Sequence, residues 1–409
     1  MQAALIEAAG RPPRVVDTEP PAPGDGRVAV RVAAAPITPL DLMCATGTSY
    51  FGCPALPYVP GVQGVGTLDG APVWFATPAG MAPGDGSMRA VADVPLADVV
   101  ELPEGADPVL VAALGLSAVA AWCAMTATGG LCAGETVLVL GAGGVVGQAA
   151  VQLARRAGAA RVIAAARSVA ARERALALGA DAVVDLGVDL GVDAVPEPVV
   201  GPGAAGSGGA PVPGSGSAPG AGRAPGAGSA GSIMAAPTAP SPTAASGPLP
   251  PGPGAAPTPG PGAPVPAAAP DRAALVAELA ERMRAACAGP VDLVLDPLCG
   301  PPAAAALRTL RPRGRLVNLG GSAGQSMPVE SALLRSGELR VLGYTNNGLT
   351  ADARRAALTV VVEEVLAGRL TAAHEAVPLA DATAAWTRTG GGRVVLVPER
   401  PSDIPGGHR

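Results

Sequence analysis

The sequence predicts an α/β protein, and three observations carry that prediction. The first hundred residues break into short apolar runs separated by Gly and Pro. From about residue 108 the pattern changes to buried strands alternating with helices, the rhythm of a doubly wound parallel sheet. One tract rich in Gly, Pro and Ala then interrupts this second pattern without ending it. The tract also explains a contradiction in the composition. Gly (57) and Pro (46) are abundant enough to read as low complexity, yet 49% of the chain is apolar and only 15% charged, the reverse of a disordered balance. Residues 201–270 alone hold 17 Gly and 18 Pro.

Taken in order, residues 3–7, 15–18, 27–33, 64–68 and 73–76 read as strands punctuated at intervals typical of a small barrel. The uncharged stretch 108–134 has the length of a membrane span. It is rich in Ala, broken by Gly115, Ser117, Thr126 and Thr128, and flanked by no Arg cluster, so it reads as a helix buried in a large core, with no membrane. Residues 136–140 form a buried strand, 141–147 a glycine turn, and 148–156 open a helix. A strand at 161–166, a helix at 170–178 ended by Gly179, and a strand at 182–185 follow. Beyond the tract the rhythm resumes. Asp271 is placed to cap a helix with an apolar face of Leu275, Val276, Leu279 and Met283, and residues 291–296, 315–319 and 339–344 are strands. The tract, 187–270, is therefore expected to be a disordered insertion inside one domain. It has almost nothing to bury, and each doubling of a connection costs only about 0.6 kcal/mol in loop closure.

Other functions are excluded on composition. The net charge is −5, all 28 cations are Arg, and no basic run exists, which argues against nucleic acid. The six cysteines form no C-x-x-C pair and read as reduced thiols of a cytoplasmic protein. The first sixteen residues lack an apolar stretch of signal-peptide length.

The chemistry centres on the glycine turn. Gly141, Gly143, Gly144 and Gly147 follow a buried strand and, with Val145, open a helix inside a βαβ unit, the context in which such glycines let a pyrophosphate approach a helix N-terminus. This is a Rossmann dinucleotide site. At the end of the second strand no acid precedes Glu173; Arg167 and Ser168 stand there instead, suited to a ribose 2′-phosphate, so NADPH is the expected cofactor.

With these residues in view, the chain outside the tract resembles the medium-chain dehydrogenase/reductases, in their zinc-independent quinone oxidoreductase (enoyl-reductase-like) branch. The resemblance rests on residues 1–6, 37–42, 56–61 and 64–66, the glycine turn, 179–185 and 391–397. It implies a GroES-like catalytic barrel domain over 1–118, a Rossmann cofactor domain over 119–345, a C-terminal return to the barrel over 346–409, and a homodimer. Where zinc alcohol dehydrogenases carry metal ligands this chain has Thr38, Val62 and Gln63, and it has only two histidines, His374 and His408, both read as structural or tail residues. No metal is expected. The resemblance places Thr38, Asp41 and Tyr50 as candidate catalytic residues at the substrate mouth. It places Ser117, Gly320 and Asn346 around the cofactor.

The expected activity is hydride transfer from NADPH to a quinone or an α,β-unsaturated carbonyl. The alternative is a catalytically weak NADPH-binding protein that uses 201–270 as an interaction tether.

Overall fold

The computed structural model describes residues 1–187, 272–388, 390 and 392–399, all within one compact unit. The expected insertion beyond Gly187, the Asp271 cap and His408 lie outside the described residues.

Strands β1 (Gln2–Leu5) and β2 (Arg14–Asp17) form an antiparallel pair. Then come β3 (Arg27–Pro36), helix α1 (Pro39–Thr46), β4 (Gln63–Leu68), β5 (Ala71–Ala76), β6 (Val91–Pro95) and β7 (Val99–Glu101). Strand β3 is ten residues long and serves three neighbours. Residues 27–31 pair with β6, and 31–34 pair with β4 across a register shift between Val32 and Ala34. A β-bulge of this kind lets one long strand bend between partners. Within β5, Trp74 and Phe75 are both fully buried but enter different cores, because successive side chains of a strand point to opposite faces.

Helix α2 (Pro108–Cys123) runs into a π-helical turn, Ala124–Thr128. By length and composition it could cross a membrane, but 72% of its apolar window is buried inside the protein. The helix is broken at Gly115 (φ 23°, ψ −122°), where the Gln63 side chain is inserted into its hydrogen-bond ladder. Leu116 N and Trp74 Nε1 donate to Gln63 Oε1 at 2.7 and 3.0 Å, and Gln63 Nε2 donates to Ala112 O at 3.3 Å. The kink therefore has a definite cause, an inserted amide at a residue without a Cβ.

The second sheet is built from β8 (Thr136–Val139), α3 (Val145–Arg156), β9 (Arg161–Ala166), α4 (Val169–Ala177), β10 (Ala182–Asp185), α5 (Arg272–Cys287), β11 (Val291–Asp296), α6 (Gly300–Leu307), β12 (Leu310–Asn318), α7 (Ser331–Gly337) and β13 (Arg340–Gly343). Its six strands are all parallel, in the order β10-β9-β8-β11-β12-β13, which is the 3-2-1-4-5-6 order of a Rossmann sheet. The strands are apolar throughout because both faces are covered. Val137, Val139, Val162, Leu293 and Leu295 enter one core with α2 and α3. Leu138, Ile163, Val294 and Leu316 enter the other with α5 and α6. Helix α3 starts at Val145, three residues before the expected start, since Gly144 takes the N-cap and Gly147 falls inside the first turn.

Finally α8 (Ala351–Leu366) packs on α2, and β14 (His374–Pro378), α9 (Ala382–Ala385) and β15 (Arg393–Val397) return to the first sheet. Strand β15 pairs with β3 through Val395–Pro36 and Leu396–Ala35, completing the order β14-β15-β3-β4-β5-β7. His374 opens β14. The expected boundary at 118/119 falls inside α2, which contacts β3, β4 and β15 as well as α3.

Candidate active site

The glycine turn lies at the C-terminal end of β8, beside β11, where the strand order reverses. Gly141 has φ 63°, a backbone that disfavours side chains. A Cβ on Gly147 would collide with Gly141 O, so strand and helix meet closely only because Gly147 is bare. Gly143 has an imagined Cβ 3.1 Å from Ala171 Cβ. Gly144 differs: its Cβ would meet only Gly141 O, at 3.6 Å, and the space beyond is open. No side chain caps α3, and among the described residues the N–H groups of Val145, Val146 and Gly147 have no hydrogen-bond partner. Three unpaired donors at the positive end of a helix, next to the open space at Gly144, fit a pyrophosphate. The turn is held in place by Gln148, whose Nε2 donates to Gly143 O at 2.9 Å while its Oε1 accepts from Ala373 N at 2.9 Å.

Past the end of β9, Arg167 is exposed, and its guanidinium has no hydrogen bond or ion pair among the described residues. The nearby acid is already spent, because Asp185 Oδ1 accepts from Arg172 Nη1 at 2.5 Å and from Gly187 N at 2.7 Å. Arg172 Nη1 also donates to Arg167 O at 2.7 Å, which fixes the backbone that carries Arg167. Ser168 caps α4, its Oγ accepting from Ala171 N at 3.2 Å, and its hydroxyl proton remains available.

Thr38 and Asp41 form a capping box at the start of α1. Asp41 is buried and receives four hydrogen bonds. Its Oδ2 accepts from Thr38 N (2.8 Å) and Thr38 Oγ1 (2.6 Å), and its Oδ1 accepts from Gly61 N (3.1 Å) and Val62 N (3.0 Å). Burial pushes its carboxyl up, against the pull of the Thr38 and Val62 hydrogen bonds and of the Arg393 charge. This pair ties α1 to the Gly61–Val62 turn. Its polar atoms are turned toward each other and toward that turn.

Ser117 sits two residues after the α2 kink, and its Oγ accepts from Arg393 Nη2 at 3.1 Å. Arg393 Nη1 donates to Ile37 O at 2.8 Å. The guanidinium is buried, its Nε has no partner among the described residues, and burial pulls it down to about 10, still charged at neutral pH. Sequence reading missed Arg393; an Arg opening an apolar strand looks like a surface residue. It is a buried cation connecting Ser117 to the segment that carries Thr38.

Tyr50 lies in the loop after α1 and is 76% exposed, its ring packed on Phe51 with centroids 4.3 Å apart. Its hydroxyl accepts from Asn347 Nδ2 at 2.7 Å and lies 3.3 Å from Thr345 Oγ1, so it reaches the segment that follows β13. Asn346, beside them, has its Oδ1 bonded by Tyr344 OH (2.7 Å) and its Nδ2 bonded to Leu116 O (3.0 Å) at the α2 kink. Gly320 follows β12, where a Cβ would sit 2.7 Å from Pro297 O, and its carbonyl accepts from Asn318 Nδ2 at 2.8 Å. The same amide donates to buried Asp296 Oδ2 at 2.8 Å, while Asp296 Oδ1 accepts from Leu298 N and Cys299 N. Burial raises the Asp296 carboxyl. The structure thus brings Tyr50 to the Thr345–Asn347 segment, and Asn346 to Leu116, next to Ser117, just past the α2 kink. It keeps Thr38 and Asp41 in a separate bonded cluster, and Arg393 links Ser117 to Ile37 O beside it.

No group of three His, Cys, Asp or Glu that could hold a metal ion occurs among the described residues. Thr38 caps a helix, Val62 offers its backbone to Asp41, and the Gln63 amide is spent inside α2.

Residues 271–395 match the family model described as zinc-binding dehydrogenase. Among curated relatives, the chain is 34% identical over 147 residues to the rat synaptic vesicle membrane protein VAT-1 homolog, covering 33% of this chain and 35% of that protein. It is 34% identical over 151 residues to a human quinone oxidoreductase, covering 35% of this chain and 45% of that protein. The matched part thus spans under half of these relatives. Among solved structures, the quinone oxidoreductase of Thermus thermophilus, determined also with NADPH, aligns over 97% of this chain and 100% of its own with a TM-score of 0.62 and 24% identity. A mycobacterial quinone oxidoreductase aligns over 97% and 100% with a TM-score of 0.66 and 19% identity. At these identities the structural likeness carries the fold.

Proposed function

We propose that the chain is an oxidoreductase of the medium-chain dehydrogenase/reductase type, in the quinone oxidoreductase branch, and that it uses NADPH to reduce quinones or α,β-unsaturated carbonyls without zinc. The observation that carries the cofactor choice is Arg167, next in sequence to Ser168 past the end of β9: its exposed guanidinium has no partner among the described residues, and the neighbouring Asp185 is already paired to Arg172. The free N–H groups of Val145, Val146 and Gly147 take the pyrophosphate. The T. thermophilus relative solved with NADPH supports the same choice.

When bound, the reduced nicotinamide supplies two electrons and one proton as hydride. An enone or quinone that accepts them needs one further proton on oxygen or carbon. We assign that proton to the Tyr50 hydroxyl, which at 76% exposure can recover one from water. Support for a zinc-free reaction lies in the residues themselves. Thr38 and Gln63 are committed to α1 and α2, and an acceptor conjugated to its carbonyl needs less polarisation than a simple ketone. The reduced thiols and the buried apolar helix accord with a cytoplasmic protein, and we infer a homodimer from the branch; light scattering tests the latter.

The test is NADPH oxidation at 340 nm across a panel of quinones and enones, with and without chelator. Turnover insensitive to chelator is the expected result. Silence with every acceptor would refute the reading.

A further inference from the structure

The only side-chain hydrogen-bond partners of the Tyr50 hydroxyl among the described residues come from beyond β13, and they are not equivalent. Asn347 Nδ2 is close, 2.7 Å, and as an amide N–H it can only donate. Thr345 Oγ1 is farther, 3.3 Å, and already accepts from Asn347 N at 3.3 Å. A phenol oxygen with a donor fixed on one lone pair keeps its own proton pointing elsewhere. Here that proton has a long, weak contact to Thr345 or is free for a substrate oxygen.

The donor is itself held rigidly. Thr345 caps the short turn Asn346–Gly348. Tyr344 OH donates to Asn346 Oδ1, which leaves Asn346 Nδ2 to grip Leu116 O at the α2 kink. Burial pushes the Tyr344 hydroxyl far up, so it stays a protonated donor. The turn is anchored at the kink, Asn347 projects from the turn, and the exposed Tyr50 loop has its hydroxyl set against it.

The geometry points to Asn347 as the positioning residue that makes Tyr50 a proton donor: its amide occupies the acceptor side of the phenol, orients the O–H toward the acceptor, and stabilises negative charge on the phenol oxygen as the proton leaves. This rests on the reductase reading above and assigns the proton path within it. In the step, the Tyr50 O–H bond breaks, its proton forms a bond to the oxygen or carbon of the acceptor that has taken hydride, and the resulting phenolate takes a proton from water.

Asn347→Asp tests the polarity, because it is nearly isosteric but turns the donor into an acceptor, so the phenol proton is drawn to the carboxylate. The expected result is a fall in kcat of about 30-fold with the KM for NADPH held within about threefold. Tyr50→Phe should fall similarly, and the double variant no further, since both changes remove one device. A readout independent of turnover is 13Cζ-tyrosine NMR. The chain has three tyrosines, and Tyr50→Phe assigns the resonance that should move in Asn347→Asp. Wild-type turnover with an unaffected Asn347→Asp variant, additive losses in the double variant, or an unmoved Tyr50 resonance each overturns the inference alone. Wild-type silence on every acceptor removes the reaction, and this role with it.

Discussion

The two ends of the site are made of different material. The proposed nucleotide end is mostly backbone: a glycine turn, three N–H groups of α3 without partners among the described residues, and one adjacent Arg, all within residues 141–168. The proposed acceptor end is side chain: Tyr50 from the loop after α1 and Asn347 from beyond the last parallel strand, on a turn that Asn346 ties to the α2 kink held by Gln63. A backbone cradle tolerates sequence change wherever glycine is kept. A side-chain assembly depends on every contributor and on the packing that brings distant segments together. Specificity for the acceptor is therefore the more easily altered of the two.

The largest effect expected falls mainly on the acceptor end. Gln63→Leu leaves Trp74 Nε1 and Leu116 N buried without partners and should cost about 4 kcal/mol of stability. By loosening the kink that holds Asn346 it should also lower kcat, by more than it weakens NADPH, since the glycine turn is untouched. Thermal melts and cofactor titration check this; equal losses at both ends would show that α2 couples them. Next is Gly144→Asp. Its backbone (φ −82°, ψ 163°) accepts an N-cap and the space outside it is open, so the variant should be more stable by about 1 kcal/mol. The carboxylate takes the N–H groups meant for phosphate, and NADPH affinity should fall by about 100-fold, near 3 kcal/mol. Loss of affinity accompanied by loss of stability would mean that the turn had simply been disrupted. The smallest effect sharpens the cofactor choice. Arg167→Ala should weaken NADPH by about 30-fold, near 2 kcal/mol, and NADH hardly at all in fluorescence titrations. Equal weakening of both would place Arg167 away from the 2′-phosphate.

The same contrast decides what could be read from sequence. The parallel strands and the glycine turn are legible because their signals are local: unbroken apolar runs where both faces are covered, and glycines spaced around one turn. Helix α1 is not legible, since eight residues give little periodicity and its start depends on the Thr38–Asp41 box. Helix α6 begins Gly-Pro-Pro, which reads as loop, although Pro is acceptable in a first turn. Tyr50 came only through resemblance, and its partner Asn347, 297 residues away, carries no local mark. Arg393 was hidden for the same reason. Its role arises from Ile37 O and Ser117 Oγ, which only the folded chain puts within reach.

The return of β15 to β3 bears on how the molecule is made. Arg393 bonds to a carbonyl 356 residues earlier in the chain, and Val395 and Leu396 pair with the end of β3. During synthesis, the first sheet must wait with that edge unpaired until nearly all the remaining described residues have left the ribosome. An exposed strand end is a template for wrong partners. The first lobe, though translated first, is thus finished last, and a ribosome stalled before β15 would leave a nascent chain with a complete nucleotide turn and an open, sticky barrel.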